Sequence, residues 1–157
     1  IDKFNERYSR VFGYLQQMQR EAIARGYVET ILGRRRYFTV SSNSLKPLKG
    51  TAPEDIDLDK IRSGGYDSGQ LRAAANAPIQ GSSADIIKIA MIQLHEVLKN
   101  YQSRLLLQVH DELIFEIPTD EWPELEQKIA TTMESVVKLS VPLKVEINAG
   151  KNWMDAK

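Results

Sequence analysis

The chain has 157 residues, of which 42% are hydrophobic and 27% charged, with no cysteine and a formal net charge of zero. This composition is typical of a globular protein with one ordinary core, and it excludes disulfides and cysteine-ligated metal sites. No apolar run approaches the roughly 18 residues of a membrane span, so no membrane partner is expected, and the lack of cysteine favours a reducing compartment. The chain begins without Met and opens directly into an amphipathic pattern, which predicts a piece of a larger protein.

Charge is unevenly distributed along the chain. Residues 1–50 carry ten Lys and Arg against four Asp and Glu, a net charge of +6, whereas residues 51–100 carry −2 and residues 101–157 carry −4. A basic first third and an acidic end suit a protein that binds phosphates with one part and cations with another. An unevenly charged, solvated surface explains the same numbers, so charge alone leaves both interpretations open.

An amphipathic helix is predicted over residues 3–24, because apolar residues recur there at steps of three and four. Its apolar face consists of Phe4, Tyr8, Val11, Leu15, Met18 and Ala22. Gly26 stands where a helix C-cap favours glycine. A short β-like run over residues 27–32 follows, and Gly33 ends it.

Residues 41–69 are the least regular stretch of the chain. They contain five Ser, one Asn, two Pro and four Gly. Such residues favour turns over helices and strands. We therefore expect a long, flexible surface loop, with at most one short helical turn.

A helical pattern returns over residues 71–76. Pro78 is expected to break it, since proline cannot donate an intrahelical hydrogen bond. The pattern resumes after Gly81, where Ser82 and Asp85 resemble a capping box. The apolar face of this next helix consists of Ile87, Ala90, Met91, Leu94, Val97 and Leu98.

Two strongly apolar β-like runs, residues 104–109 and 113–117, are separated only by His110, Asp111 and Glu112. So short a separation predicts an antiparallel hairpin.

After the hairpin, Asp120 is predicted to cap a last helix and residues 143–147 to form a last strand. The apolar face of that helix consists of Trp122, Leu125, Ile129, Met133 and Val136. A hairpin, several helices and few parallel crossovers indicate an α+β fold.

The connection of the hairpin has neither Gly nor Pro, the residues that favour tight turns. It carries an imidazole and two adjacent carboxylates instead, and such violations of local propensity cluster at functional sites. Carboxylate oxygens are the ligands that Mg²⁺ prefers, and a rigid strand end would hold one in place. A solvated turn, in which Asp is an ordinary residue, is the alternative.

Residues 108–112, Gln-Val-His-Asp-Glu between two apolar strands, resemble the third conserved motif of family A (DNA polymerase I-like) DNA polymerases. Three further blocks are similar to segments of that family and occur in its order: residues 26–30 with 33–37, residues 72–85, and residues 141–145 with 152–157. The resemblance implies the C-terminal part of the polymerase domain, with the palm and the base of the fingers, over residues 1–157. It also implies an antiparallel palm-type sheet packed by helices. Residues 46–69 depart from the family's usual helical connection, which leaves their DNA contacts open.

The resemblance implies that Asp111 binds both catalytic Mg²⁺ ions and that Glu112 supports them. Two such metals, about 3.5–4 Å apart, stabilise the attacking 3′-oxygen and the leaving pyrophosphate. His110 is implied to touch the minor-groove edge at the primer end.

The same resemblance assigns DNA contacts to two groups of side chains. Arg72, Asn76 and Gln80 are implied to contact the minor groove and backbone of the new duplex. In the minor groove, donors can bind acceptors that every base pair presents, without choosing a sequence. Phosphate contacts are implied for a second group, Arg34, Arg35 and Arg36, although three adjacent arginines cannot all face one way.

The implied function is template-directed DNA synthesis from dNTPs on a primer–template, in replication or repair, in the cytoplasm at the nucleoid. The sequence lacks the family's second metal-binding Asp motif, Asp-Tyr-Ser-x-x-Glu-x-Arg, and its dNTP-binding fingers helix. The fragment is therefore expected to be inactive without the missing N-terminal part of the polymerase. A non-catalytic DNA-binding module derived from a polymerase and a metal-dependent nuclease are the alternatives.

Overall fold

The computed structural model describes residues 6–61 and 64–156. The chain divides into two compact units, Ile1–Ser82 and Ser83–Lys157. Each unit combines helix with a two-stranded antiparallel sheet, so the predicted α+β class is confirmed. Within the described residues, no helix has both the length and the apolar character needed to cross a membrane.

The first helix, α1, covers Ser9–Arg25. Gly26 ends it in the left-handed region, with φ 78°, and its N–H donates to the carbonyl of Ala22. The predicted glycine C-cap is therefore confirmed. Ala22 is buried whereas Tyr8 and Val11 are exposed, so the predicted apolar face packs only toward its C-terminal end. Phe4, which was assigned to the same face, lies outside the described residues.

Two short strands, β1 (Tyr27–Glu29) and β2 (Arg35–Tyr37), form an antiparallel hairpin. The predicted run to residue 32 is too long, because the chain turns at Thr30. The Thr30 N–H donates to the carbonyl of Arg34, and Gly33 takes φ 78° in the turn.

Residues 41–69 contain three single-turn 3₁₀ helices: Lys46–Leu48, Pro53–Asp55 and Leu58–Lys60. Leu45 and Ile56 from this segment are buried in a cluster with Ile23 of α1. The segment is thus anchored at two points, and its last residues already belong to the next helix. Its flexibility remains a prediction.

Helix α2 runs without interruption from Gly65 to Leu98, with Pro78 inside it. The predicted break at Pro78 is therefore wrong. Ala74 and Ala77 are buried in a cluster that includes Ala22, and this packing offsets the hydrogen bond that proline cannot donate. The predicted capping box is wrong as well, because Ser82 lies in the interior of the helix.

In the second unit, strands β3 (Arg104–Val109) and β4 (Glu112–Glu116) form the predicted antiparallel hairpin. Helix α3 covers Trp122–Ser135. The buried centre of this unit confirms the predicted apolar faces of its two helical segments. It consists of Leu94, Leu98, Leu125 and Ile129.

Two predictions about the end of the chain are wrong. Asp120 does not cap α3, whose N-cap position is Glu121 without a capping hydrogen bond. The Glu121 carboxylate accepts hydrogen bonds from Ser103 and from the Gln102 N–H instead. Residues 143–147 form no strand, and the Val145 N–H donates to a side chain, that of Glu134.

Asp67, in the first turn of α2, is 2% exposed, and its carboxylate holds the start of residues 41–69. It accepts hydrogen bonds from the backbone N–H groups of Ser41 and Ser42, each at 2.8 Å, and from the Ser41 hydroxyl. These bonds hold the pKa of Asp67 below its usual value, and the bond from the Ser41 backbone N–H contributes most. A lowered folded-state pKa contributes stability at neutral pH that is lost as the pH falls.

Asp67→Asn should therefore lower the free energy of unfolding at pH 7. The difference in this free energy between the variant and the unsubstituted chain should become smaller below about pH 4, the ordinary range of an Asp pKa. Urea titrations at pH 7 and pH 3.5 measure this difference. Asp59→Asn, which changes an exposed carboxylate of the same segment, is the control and should have little effect at either pH. A difference for Asp67→Asn that is equal at both pH values would contradict the assignment.

Candidate nucleic-acid and metal site

His110 and Asp111 alone connect β3 to β4, since Val109 already pairs with Glu112. His110 has φ 55° and is the one non-glycine residue with positive φ in the described part of the chain. Histidine is among the side chains enriched in this left-handed region, but such backbone still stores strain and clusters at functional sites. The Gln108 side-chain amide donates to the His110 carbonyl at 2.9 Å, which helps to fix the tip.

Asp111 and Glu112 are both exposed at this hairpin tip. Their donor atoms are oxygens only, which suits a hard cation such as Mg²⁺ better than a softer metal. Across the residues that the structure describes, no group of three or more His, Cys, Asp or Glu side chains is arranged to hold a metal. The tip therefore fits Mg²⁺ as a source of one or two ligands, and further oxygens must come from elsewhere.

Arg72, Asn76 and Gln80 lie four residues apart on α2, and all three are exposed. A helix rises about 1.5 Å per residue, so these side chains project from one face at steps of about 6 Å. The structure thus brings together the three residues predicted to contact the duplex. We call them the helix row.

The turn of the first hairpin lies directly against α2. The Arg34 guanidinium donates to the carbonyl of Gly81 at 3.1 Å, and the Ile31 N–H donates to the Ser82 hydroxyl at 2.9 Å. A Cβ on Gly81 would lie 2.7 Å from the methyl carbon of Thr30, so only glycine fits without a shift. We call this arrangement the turn–helix contact. This contact was not predicted from the sequence, although the Gly81-Ser82 pair within a helical pattern is a signal for close packing.

The other two arginines of the run differ in their surroundings. Arg35 pairs with Glu29 at 2.8 Å and lies 4.5 Å from the centre of the Tyr27 ring. The hydrogen bond to Glu29 is the main reason that the pKa of Arg35 is raised. Arg36 lies over the Phe38 ring, 5.3 Å from its centre.

A cleft of about 70 Å³ separates the first hairpin from α2. Arg34, Arg36 and Gln80 line it, so the arginine run and the helix row meet at this cleft. Its other lining residues are Val28, Glu29, Thr30, Ala77, Pro78 and Gly81. Glu29, the acidic residue of the lining, pairs with Arg35, so its charge is balanced within the hairpin.

Comparisons with known proteins give a consistent result. The family model of DNA polymerase family A matches residues 1–155. The DNA polymerase I of Synechocystis is 55% identical over 157 residues, and that of Bacillus subtilis is 42% identical over 159 aligned positions. Each alignment covers 100% of this chain and 16% of the relative, so the chain spans about a sixth of their length.

The chain is also similar to a solved structure, the POL domain of Pol1 from M. smegmatis in complex with DNA primer-template and dNTP. The TM-score is 0.78 at 38% sequence identity. The match covers 99% of this chain and 24% of the solved one.

The left-handed backbone at the hairpin tip can be tested by substitution. His110→Gly should keep or raise the free energy of unfolding, by up to about 1 kcal/mol, because glycine adopts positive φ without a steric penalty. His110→Val should lower it by about 1–2 kcal/mol, since a β-branched residue is a poor fit to this region. Urea unfolding followed by circular dichroism measures both changes. Equal stabilities for the Gly and Val variants would show that the tip does not hold this conformation in solution.

Proposed function

The chain belongs to DNA polymerase family A, and we propose that it forms the C-terminal palm and the base of the fingers of a template-directed DNA polymerase. The proposed reaction transfers a nucleotide from a dNTP to the 3′-hydroxyl of a primer. The observation that carries the proposal is the two-residue hairpin tip, which presents Asp111 at an exposed turn beside Glu112. The similar Pol1 domain, which was solved in complex with DNA primer-template and dNTP, supports the choice of substrates.

Asp111 is the proposed ligand for Mg²⁺, and Glu112 the supporting carboxylate next to it. Two bound ions supply electrostatic stabilisation of the attacking and leaving oxygens. The contribution of this chain is to hold the Asp111 carboxylate in one direction, through the paired strands and the hydrogen bond from Gln108 to the tip. His110, at the same tip, is proposed to contact the minor-groove edge at the primer end.

The helix row is proposed to follow the minor groove of the newly formed duplex. From Arg72 to Gln80 it spans about 12 Å along the helix axis, which corresponds to roughly three to four base pairs at a rise of about 3.4 Å. Its guanidinium and amide groups donate hydrogen bonds to acceptors that all base pairs share. The arginine run, Arg34, Arg35 and Arg36, is proposed to contact backbone phosphates, and two of its members, Arg34 and Arg36, line the adjoining cleft.

Other parts of a longer polymerase are proposed to complete the site. One carboxylate pair cannot satisfy a two-metal centre alone, and the described residues offer no third acidic or imidazole ligand in position. The second metal-binding Asp and the groups that bind the dNTP triphosphate are assigned to that remainder. The proposed setting is the cytoplasm of a bacterium, at the nucleoid.

The 157-residue chain alone should show no primer extension, because half of the metal ligands and the dNTP-binding groups are absent from its sequence. A primer-extension assay with a labelled primer–template, dNTPs and Mg²⁺ measures this, with the complete polymerase as the positive control. Duplex binding by the chain alone should be weak, independent of sequence and reduced by salt. Extension of the primer by the isolated chain would overturn the division of the site between two segments.

In the complete polymerase, Asp111→Asn should lower kcat by roughly 10³-fold or more, because a neutral amide would hold less well the Mg²⁺ ions that would stabilise the transition state. Duplex affinity should stay within a few fold, since Asp111 does not neutralise phosphates. Steady-state extension rates and fluorescence-anisotropy titrations measure the two quantities. Glu116→Gln, at the opposite end of β4 and also exposed, is the matched control and should leave both unchanged. Near-normal turnover by Asp111→Asn would refute the assignment of the metal ligand.

A further inference from the structure

We infer that the three adjacent arginines have different roles: Arg36 contacts a backbone phosphate, and Arg34 is a positioning residue that holds the hairpin against α2. This inference rests on the proposed function and refines it, because that function treats the run as one group. It follows from where each guanidinium is directed and from how closely the turn packs on the helix.

The Arg34 guanidinium points at the helix backbone. It donates to the Gly81 carbonyl at 3.1 Å, although that carbonyl lies inside a continuous helix. A carbonyl oxygen has two lone pairs, so the Arg34 bond can add to the intrahelical one. A phosphate that recruited this guanidinium would have to compete with the bond to Gly81.

Two further features make the turn–helix contact specific. Position 81 has no space for a side chain, because a Cβ there would lie 2.7 Å from the Thr30 methyl carbon and 3.3 Å from the Arg34 guanidinium. Ser82 is buried and accepts the Ile31 N–H, so a second hydrogen bond fixes the turn on the next helix residue. Gln80 directly precedes this pair. Arg34 therefore sets the position of the hairpin relative to the end of the helix row.

Arg35 also interacts with side chains of its own hairpin. It forms an ion pair with Glu29, its cross-strand partner, and stacks on the Tyr27 ring. Withdrawing it to a phosphate would leave Glu29 without this partner at the edge of a cleft that it lines. Its charge therefore adds little net attraction for DNA, since a neighbouring carboxylate balances it.

Arg36 has the geometry of a phosphate contact. Its guanidinium lies over the ring of Phe38, a residue that is only 8% exposed and therefore well anchored. The ring face attracts the cation, and a guanidinium has five N–H donors, so Arg36 can contact the ring and a phosphate at the same time. Arg36 also lines the cleft beside Gln80. The contact with the ring orients the side chain before DNA binds, which reduces the entropy lost on binding.

The dependence of duplex affinity on salt distinguishes the two roles. In the complete polymerase, each phosphate contact adds about 0.9 to the slope of log Kd against log salt concentration. Arg36→Gln should therefore reduce that slope by about one. Arg34→Gln removes the same charge but should leave the slope unchanged and weaken binding by a similar factor, about 3- to 10-fold, at every salt concentration. Anisotropy titrations from 50 to about 200 mM salt cover the range in which such contacts are measurable.

A second pair of variants tests the positioning role directly. Gly81→Ala should weaken binding through the same turn–helix contact, so its effect should not add to that of Arg34→Gln. The effects of Gly81→Ala and Arg36→Gln should add, because Arg36 takes no part in that contact. Additive effects of Arg34→Gln and Gly81→Ala would overturn the positioning role.

The remaining outcomes separate this inference from the proposed function. A slope reduced by about one in Arg34→Gln, or an unchanged slope in Arg36→Gln, overturns the inference while DNA binding itself stands. The Arg36 variant keeps this test valid even if Arg34→Gln unfolds, since Arg36 lies outside the turn–helix contact. A parent polymerase whose duplex affinity shows no salt dependence would instead remove the basis of the proposed function.

Discussion

The accommodation of Pro78 inside α2 determines the geometry of the first unit. A proline in a helix interior costs about 3 kcal/mol, because it removes one hydrogen bond and its ring meets the preceding turn. Small buried side chains, Ala74 and Ala77, allow close packing against α1 and the first hairpin, and that packing offsets the cost. Since the helix stays continuous, Arg72 and Gln80 belong to one regular row instead of two differently directed segments.

The first hairpin complements this helix through steric fit and electrostatics together. The glycine at position 81 lets the turn approach the backbone, and the bonds from Arg34 and Ile31 then fix its orientation. Opposite charges within the hairpin, at Glu29 and Arg35, limit repulsion among the three adjacent arginines. A basic surface can therefore be dense without all of its charges facing the same phosphate. For this reason, a run of basic residues does not by itself predict which of them would contact a phosphate.

The features that the sequence predicted correctly are those that local patterns determine. Gly26 ends α1 because only the adjacent backbone matters, and the β3–β4 hairpin follows from two apolar runs with almost no residues between them. The failures involve distant partners. Residues 143–147 have strand-like composition, but a strand needs a neighbour, and the Val145 N–H is bonded to Glu134 instead. For the candidate site, the resemblance to a family predicts roles for Asp111, the helix row and the arginines, and these roles remain predictions. The hydrogen bond from Arg34 to Gly81 and the ion pair of Arg35 with Glu29 depend on the folded structure, and no local pattern predicts them.

The hairpin tip illustrates why a divided metal site is physically reasonable. Carboxylates held close together repel one another without a cation, and that repulsion destabilises the segment that carries them. In this chain Asp111 and Glu112 are both exposed, so the high dielectric constant of water weakens their mutual repulsion. Strand pairing and the bond between Gln108 and the His110 carbonyl support the backbone of the tip. Under the proposed function, the metal site has all of its carboxylates only when another segment of the polymerase places its own beside Asp111. Affinity for the cation then depends on correct assembly of the polymerase, and an isolated piece of the site has little capacity to bind metal or catalyse a reaction.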